Sequence, residues 1–223
     1  MPDPDLTLSS RTLSEAESKA LLARFGLPLL DERLAADPNE AAAMATEIGY
    51  PVVAKLHGVN IAHKTERGLV RLGLSDATAV RQAAKELFAA ARESDGFVEV
   101  LVAPMVRGNR ELIAGVANDP QFGMTVMVGI GGIFAEALGD VAIRLVPITR
   151  VDAEEMIGDL QTQALLGAYR GEPAVDRERL VDVLMGLSAA VLASPDVMSV
   201  DLNPLIVVDG IPIAVDALVE VRN

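Results

Sequence analysis

The chain has 223 residues, no cysteine and two histidines, and it sets 32 acidic side chains against 19 basic ones for a formal net charge of -13. With 51% hydrophobic residues it can bury the core of one large or two small domains, which excludes a disordered tail and a disulfide mini-domain; the missing cysteines exclude disulfide frameworks, thiolate zinc sites and cysteine nucleophiles. So acidic a chain, with only 3% aromatic residues, is repelled by phosphate backbones and has few stacking platforms, so nucleic acid is not its main partner.

The acidic start Met1-Pro2-Asp3-Pro4-Asp5 and the lack of an apolar run approaching the ~18 to 20 residues of a membrane span point to a soluble cytoplasmic protein. After a polar leader, Thr12-Leu13-Ser14-Glu15-Ala16-Glu17 opens a helix with hydroxyl caps and early acids, which Gly26 and Pro28 close. Asp37-Pro38, with proline at the first helical position, starts an alanine-rich helix ended by Gly49. Pro51-Val52-Val53-Ala54-Lys55-Leu56 reads as a strand, followed by a loop, a strand over 68–74, a helix over 76–92 and a strand over 98–102. Residues 28–103 therefore form a small α+β unit after a leader and helix over 1–27 that pack on a larger one. Pro104 and Gly108 mark a hinge into that larger unit, 104–223. It contains strands near 111–116 and 124–129 joined by Asn118-Asp119-Pro120, a strand near 141–147, helices over 152–160 and 176–192, and strands over 198–208 and 212–219 around Asp209-Gly210.

The negative charge is uneven. Residues 50–73 hold four basic side chains, Lys55, Lys64, Arg67 and Arg71, against Glu66 alone, so this window carries +3 and the rest of the chain -16. Both histidines, His57 and His63, fall inside it. A phosphate group suits such a cluster, with a solvated basic loop as the alternative.

Asp209-Gly210 between alternating apolar residues is a two-residue hairpin signal that pairs Val208 with Ile211 and sets Asn203 directly opposite Asp216. Directly opposed residues share a face at Cβ separations of ~4.5 to 5.5 Å, and Asp201 shares that face. Three oxygen ligands converge there, a set that suits Mg²⁺. Val215, Ala217 and Leu218 make the strand look buried, and a buried Asp216 would need a partner. The alternative is a turn-capping Asn203 beside an exposed Asp216. The stretch Val128-Gly129-Ile130-Gly131-Gly132-Ile133-Phe134-Ala135-Glu136 lacks the G-x-G-x-x-G spacing and a ribose-binding acid at the usual distance, which excludes a Rossmann cofactor site. It leaves a strand running into a tight glycine turn whose amides can approach a phosphate.

Basic loop, hinge, glycine turn and carboxamide-carboxylate hairpin occur in an order that resembles the ATP-grasp subunit of ADP-forming acyl-CoA synthetases, relatives of the succinyl-CoA synthetase β subunit. The resemblance runs from Ser14 to Val221 and is carried by Gly49-Tyr50-Pro51-Val52-Val53-Ala54-Lys55, His63-Lys64-Thr65-Glu66-Arg67-Gly68, Pro104 to Gly115 with Arg110-Glu111-Leu112, Asp119-Pro120-Gln121-Phe122-Gly123, Gly139-Asp140-Val141-Ala142-Ile143-Arg144 and Asp201-Leu202-Asn203-Pro204-Leu205. It implies an α+β ATP-grasp fold in which two lobes clamp ATP or ADP. Lys55 matches the lysine that reaches the nucleotide phosphates, Glu111 the acid beyond the hinge that faces the nucleotide, and Asn203 and Asp216 the Mg²⁺ pair. Val102 and Ala103 stand at the hinge, where many relatives carry Gln or Glu before the methionine, and Arg144 is a phosphate candidate with an intradomain salt bridge as its rival. His63 matches the histidine that accepts a phosphoryl group from a partner-subunit phosphohistidine and passes it to ADP; His57 is the internal alternative. The resemblance also implies a heteromer, with coenzyme A bound by an α subunit. A non-catalytic regulatory ATP-grasp module and a stand-alone ATP-dependent carboxylate ligase are the alternative functions.

Overall fold

In the computed structural model, residues 10–58, 60–61, 67–132, 139–169 and 171–222 are described. The long helices begin where a short polar side chain meets the unpaired amides of the first turn. Ser14 and Glu17 form a reciprocal capping box at α1 (Glu15–Ala23), Asp37 accepts from the amides of Asn39 and Glu40 at α2 (Pro38–Ile48), and Asp76 accepts from those of Thr78 and Ala79 at α3 (Ala77–Ala89). Thr149 and Asp152 repeat the capping box at α4 (Arg150–Asp159). The short α5 (Gln163–Leu166) has no side-chain cap, and Asp176 caps α6 (Arg177–Ala193). No helix among the described residues is long and apolar enough to cross a membrane.

The chain divides into two units, Leu30–Val106 and a second made of Met1–Leu29 with Arg107–Asn223. In the smaller one, β2 (Arg33–Ala35), β3 (Val52–Gly58), β4 (Val70–Leu74) and β5 (Val98–Pro104) form an antiparallel sheet in the order β2-β5-β3-β4. Side chains alternate across a strand. Val52, Ala54 and Leu56 of β3 join Val100 and Val102 of β5 in a core with Ala41 and Ala45 of α2 and Val80, Ala84 and Leu87 of α3. Val53, Lys55 and His57 therefore occupy the other face of β3.

Arg67 and Arg71 of the 50–73 window are paired inside this unit. Arg67 makes a two-pronged contact with the buried Asp95, at 2.9 and 2.8 Å, and Arg71 bonds Glu86 at 3.3 Å and the Gly68 carbonyl at 2.7 Å. These contacts reduce the free positive charge that the sequence assigns to the window. The Arg67 guanidinium, and after it the Arg92 amide, bring the Asp95 carboxyl down to about 2 from 3.8. A carboxyl depressed on folding adds stability above its unfolded pKa and loses it as pH falls through the folded value. Asp95→Asn should accordingly have a lower urea midpoint than the parent at pH 7, and the gap should close between pH 3.8 and about 2. A gap of equal size at pH 7 and pH 2 would show that the ion pair is not its source.

In the larger unit, β1 (Ser10–Thr12), β6 (Glu111–Asp119), β7 (Gly123–Ile130), β8 (Val141–Leu145), β9 (Val197–Val208) and β11 (Leu218–Arg222) follow the sheet order β1-β11-β9-β6-β7-β8, with β10 (Ile211–Ala214) paired to β9. Leu112, Val116, Val128, Val200, Leu202, Leu205 and Val219 pack with Met156 and Ile157 of α4 and Leu180, Leu184 and Leu187 of α6. The opposite face carries the polar residues considered next. The expected strand over 212–219 is two strands, broken at 215–217, and among the described residues the short β1, β2 and α5 and a single 3-10 turn at Glu93–Asp95 are additions to the elements expected from the sequence.

Candidate functional site

Around Asp209-Gly210 the register is Ile211 to Val208, Pro212 to Val207, Ile213 to Ile206 and Ala214 to Leu205. Beyond the break, Leu218 pairs with Asp201, Val219 with Val200 and Glu220 with Ser199. Both ladders keep the same offset, and Asn203 and Asp216 fall at matching positions in the gap between them.

The direction in which these side chains point depends on an irregularity. Leu205 and Val207 face the core, so unbroken alternation would turn Asn203 and Asp201 inward as well. Instead β6 advances from Leu112 to Ala114 while its partner β9 retreats from Leu205 to Leu202, an extra residue that constitutes a bulge. Past it the buried set becomes Leu202 and Val200, and Asp201 and Asn203 turn to the open face. The last strand switches phase at the same level. Pro212 and Ala214 are buried before the break and Ala217 and Val219 after it, leaving Asp216 exposed. The expectation of a buried Asp216 is corrected by this phase switch. The Asp216 carboxylate accepts from the Ala217 amide at 2.9 Å.

The three side chains offer oxygen donors on one face. Asp201 is exposed, yet the surrounding chain strips part of its hydration and the Asp216 carboxylate repels it, and these effects, in that order, hold its carboxyl above the ordinary aspartate range. A cation between the two would relieve the repulsion. Among the described residues no group of three or more His, Cys, Asp or Glu is arranged to hold a metal. Mg²⁺ requires less, since it takes one or two protein oxygens and completes its shell with phosphates and water. The donor set fits that ion.

Glu111 opens β6 opposite Ile206, which places it on the same open face. Its carbonyl accepts from the Gly131 amide at 2.8 Å. A Cβ on Gly131 would stand 3.1 Å from the Glu111 carbonyl atoms, and Gly132, at φ +81°, brings its backbone beside the Glu111 carboxylate. At Gly131 the tight approach favours glycine, and at Gly132 the positive φ does. Residues 133–138, the continuation of the glycine stretch, lie outside the described residues.

In the smaller unit, Lys55 is half-buried in β3, paired in register with Val70 and Leu101. Val102 is fully buried in the helix-side core and lies between Ala54 and Arg33 in the sheet, so its side chain is not available to a nucleotide. Ala103, opposite Val53, is 2% exposed. His57 is 8% exposed in mid-strand opposite Glu99, a place for a packed side chain. His63 lies outside the described residues.

Arg144 shares the helix-covered face of β8 with the buried Ala142, and it bonds Asp159 of α4 at 2.6 Å. Of its two readings, the salt bridge is the one the structure shows, and it stands on the face opposite Glu111, Asn203 and Asp216. Two supporting residues went unrecognised in the sequence. Arg110, 5% exposed, bonds Glu172 at 3.1 Å and the carbonyls of Leu165, Gly167 and Pro173, tying 165–173 to the residue before Glu111. Asp140, also 5% exposed, accepts from the amides of Gln161 and Thr162, each at 2.8 Å. Both stood inside the stretches Arg110-Glu111-Leu112 and Gly139-Asp140, but partners so distant in sequence leave no local signal.

Two antiparallel sheets, each carrying helices on one face, with an oxygen-lined hairpin in the larger, define an ATP-grasp architecture. A model of the ATP-grasp domain matches residues 6–221, and the chain belongs to that family, with beta subunits of ADP-forming acetate–CoA ligases among its relatives. It is 36% identical over 211 residues to the beta subunit of acetate–CoA ligase (ADP-forming) I of Pyrococcus furiosus, covering 93% of this chain and 91% of that one. It is 41% identical over 197 residues to the corresponding beta subunit of ligase II from the same organism, covering 86% and 84%. These homologues are acid–thiol ligases. Among solved structures it is similar to acetyl-coenzyme A synthetase 1 of Ca. Korarchaeum cryptofilum in complex with coenzyme A and Mg-AMPPCP, whose phosphohistidine segment points towards the nucleotide binding site. That similarity has a TM-score of 0.83 and 35% identity, over 95% of this chain and 93% of the other.

Proposed function

We propose that this chain is the nucleotide-binding subunit of an ADP-forming acyl-CoA synthetase, which passes a phosphoryl group between a partner-subunit phosphohistidine and ADP through His63. The observation that carries the reading is the paired phase switch that turns Asn203 and Asp216 to one open face at matching register. Family membership and the Mg-AMPPCP complex of the Korarchaeum enzyme support it.

Phosphoryl transfer asks a protein for in-line positioning and charge neutralisation. Lys55, a compact ammonium, meets the nucleotide phosphates, and the glycine turn at 131–132 brings its backbone close beside Glu111. Asn203 and Asp216 hold Mg²⁺, with Asp201 next to them. Bound there, the ion supplies positive charge against the phosphates. His63 serves as carrier because a ring with an unperturbed pKa near ~6.5 keeps a neutral nitrogen for attack at physiological pH. Acyl-CoA chemistry belongs to a CoA-binding α subunit, so the active species is a heteromer, and it works in the cytoplasm.

Residues acting through one shared ion are non-additive. In a complex reconstituted with the α subunit, Asn203→Ala/Asp216→Ala should therefore lose little more ATP-forming activity than the worse of the two single variants. Fully additive losses would separate the two residues and remove the shared site.

A further inference from the structure

We infer that Lys19 is a positioning residue for Asp216, an inference that rests on the metal reading of Asn203 and Asp216. Asp216 sits in the one stretch of the last hairpin that neither ladder holds. β10 ends at the Ala214 to Leu205 pair and β11 begins at the Leu218 to Asp201 pair. Val215 N still reaches the Pro204 carbonyl, at a long 3.3 Å.

Support comes from α1, far away in sequence. Lys19 Nζ donates to the Val215 carbonyl at 3.2 Å. That carbonyl shares a rigid peptide plane with the Asp216 amide, so fixing it fixes the direction in which the chain enters Asp216. On the other side of the gap, the Ser18 hydroxyl accepts from the Val219 amide at 3.2 Å, and the Leu13 amide donates to the Val219 carbonyl at 2.8 Å. Leu13 and the middle of α1 thus hold the chain on both sides of residues 216–218.

Lys19 is only 7% exposed, and it pairs at 3.2 Å with Glu15, which is 5% exposed. Burying an ammonium and a carboxylate is costly unless both are paired and hydrogen-bonded. An apolar side chain of similar length would dock the helix on the sheet without that cost. What the lysine adds is a directed donor to the carbonyl beside the proposed metal ligand.

The test is Mn²⁺ binding in the presence of ADP, followed by electron paramagnetic resonance, with ADP affinity in the absence of metal measured by calorimetry. Lys19→Met removes the donor, and Glu15→Gln/Lys19→Met removes it together with the buried charge it pairs. Both should weaken Mn²⁺ binding roughly 10-fold, the size expected when support behind a metal ligand is lost, with metal-free ADP affinity held within about twofold. Asp216→Ala tests the underlying reading. If it leaves Mn²⁺ binding at parental strength, the metal reading and this inference fall together. If Asp216→Ala loses Mn²⁺ while both Lys19 variants retain it, the inference alone is overturned. Equal losses with and without metal in the double variant also overturn it, because a purely structural role would loosen both.

Discussion

His63→Ala should abolish net ADP phosphorylation, a loss of roughly 1,000-fold or more, since a missing carrier cannot be replaced by better positioning. MgADP affinity should stay close to the parental value, because the ring acts on the transferred group and not on the bound nucleotide. The motivation is the position of His63 in the His63-Lys64-Thr65-Glu66-Arg67-Gly68 stretch, within the +3 window of a chain whose remainder carries -16. His57→Ala should do far less to transfer and more to stability, since His57 is buried in mid-strand. The measurement is acid-labile phosphoryl label on this chain, resolved from the partner subunit after incubation with acyl phosphate. Label retained in His63→Ala, or nucleotide affinity lost along with activity, would make the histidine structural or move the carrier elsewhere.

Lys55→Ala should weaken MgADP binding by roughly 10- to 100-fold, the equivalent of losing one or two charge-assisted contacts to phosphate. Arg67 and Arg71 of the same window are held by Asp95 and Glu86. Lys55 stands on the face of β3 opposite the helix-side core formed by Val52, Ala54 and Leu56. Calorimetry with MgADP measures the effect, and an unchanged affinity would remove Lys55 from the site.

Local chemistry made much of this fold readable. Asp37-Pro38 and Gly49 bracket a helix because cap, first-turn proline and positive-φ glycine act within a few residues of one another. Asp209-Gly210 sets the hairpin register for the same reason. The strands Ser10–Thr12 and Arg33–Ala35 are too short to show a period, and they exist because distant strands accept them at an edge. The exposure of Asp216 could not be read from alternation, because the phase switch at 215–217 accompanies a bulge formed between β6 and β9, far apart in sequence. The pairing of Arg67 with Asp95 and the buried anchors Arg110 and Asp140 are likewise tertiary contacts. The glycine turn was visible as a turn, while its packing against Glu111 depended on where β6 begins.

In the function proposed above, this chain makes ATP from ADP at the expense of an acyl-CoA bound by its partner subunit. The direct measurement is reconstitution with a CoA-binding α subunit, supplied with acyl-CoA, inorganic phosphate and MgADP, with ATP, free acid and coenzyme A quantified together. One ATP and one free acid should appear for each coenzyme A released, and neither subunit alone should turn over. Coenzyme A release without ATP, or ATP cleavage by this chain alone that depends on an amine and a carboxylate, would contradict that function.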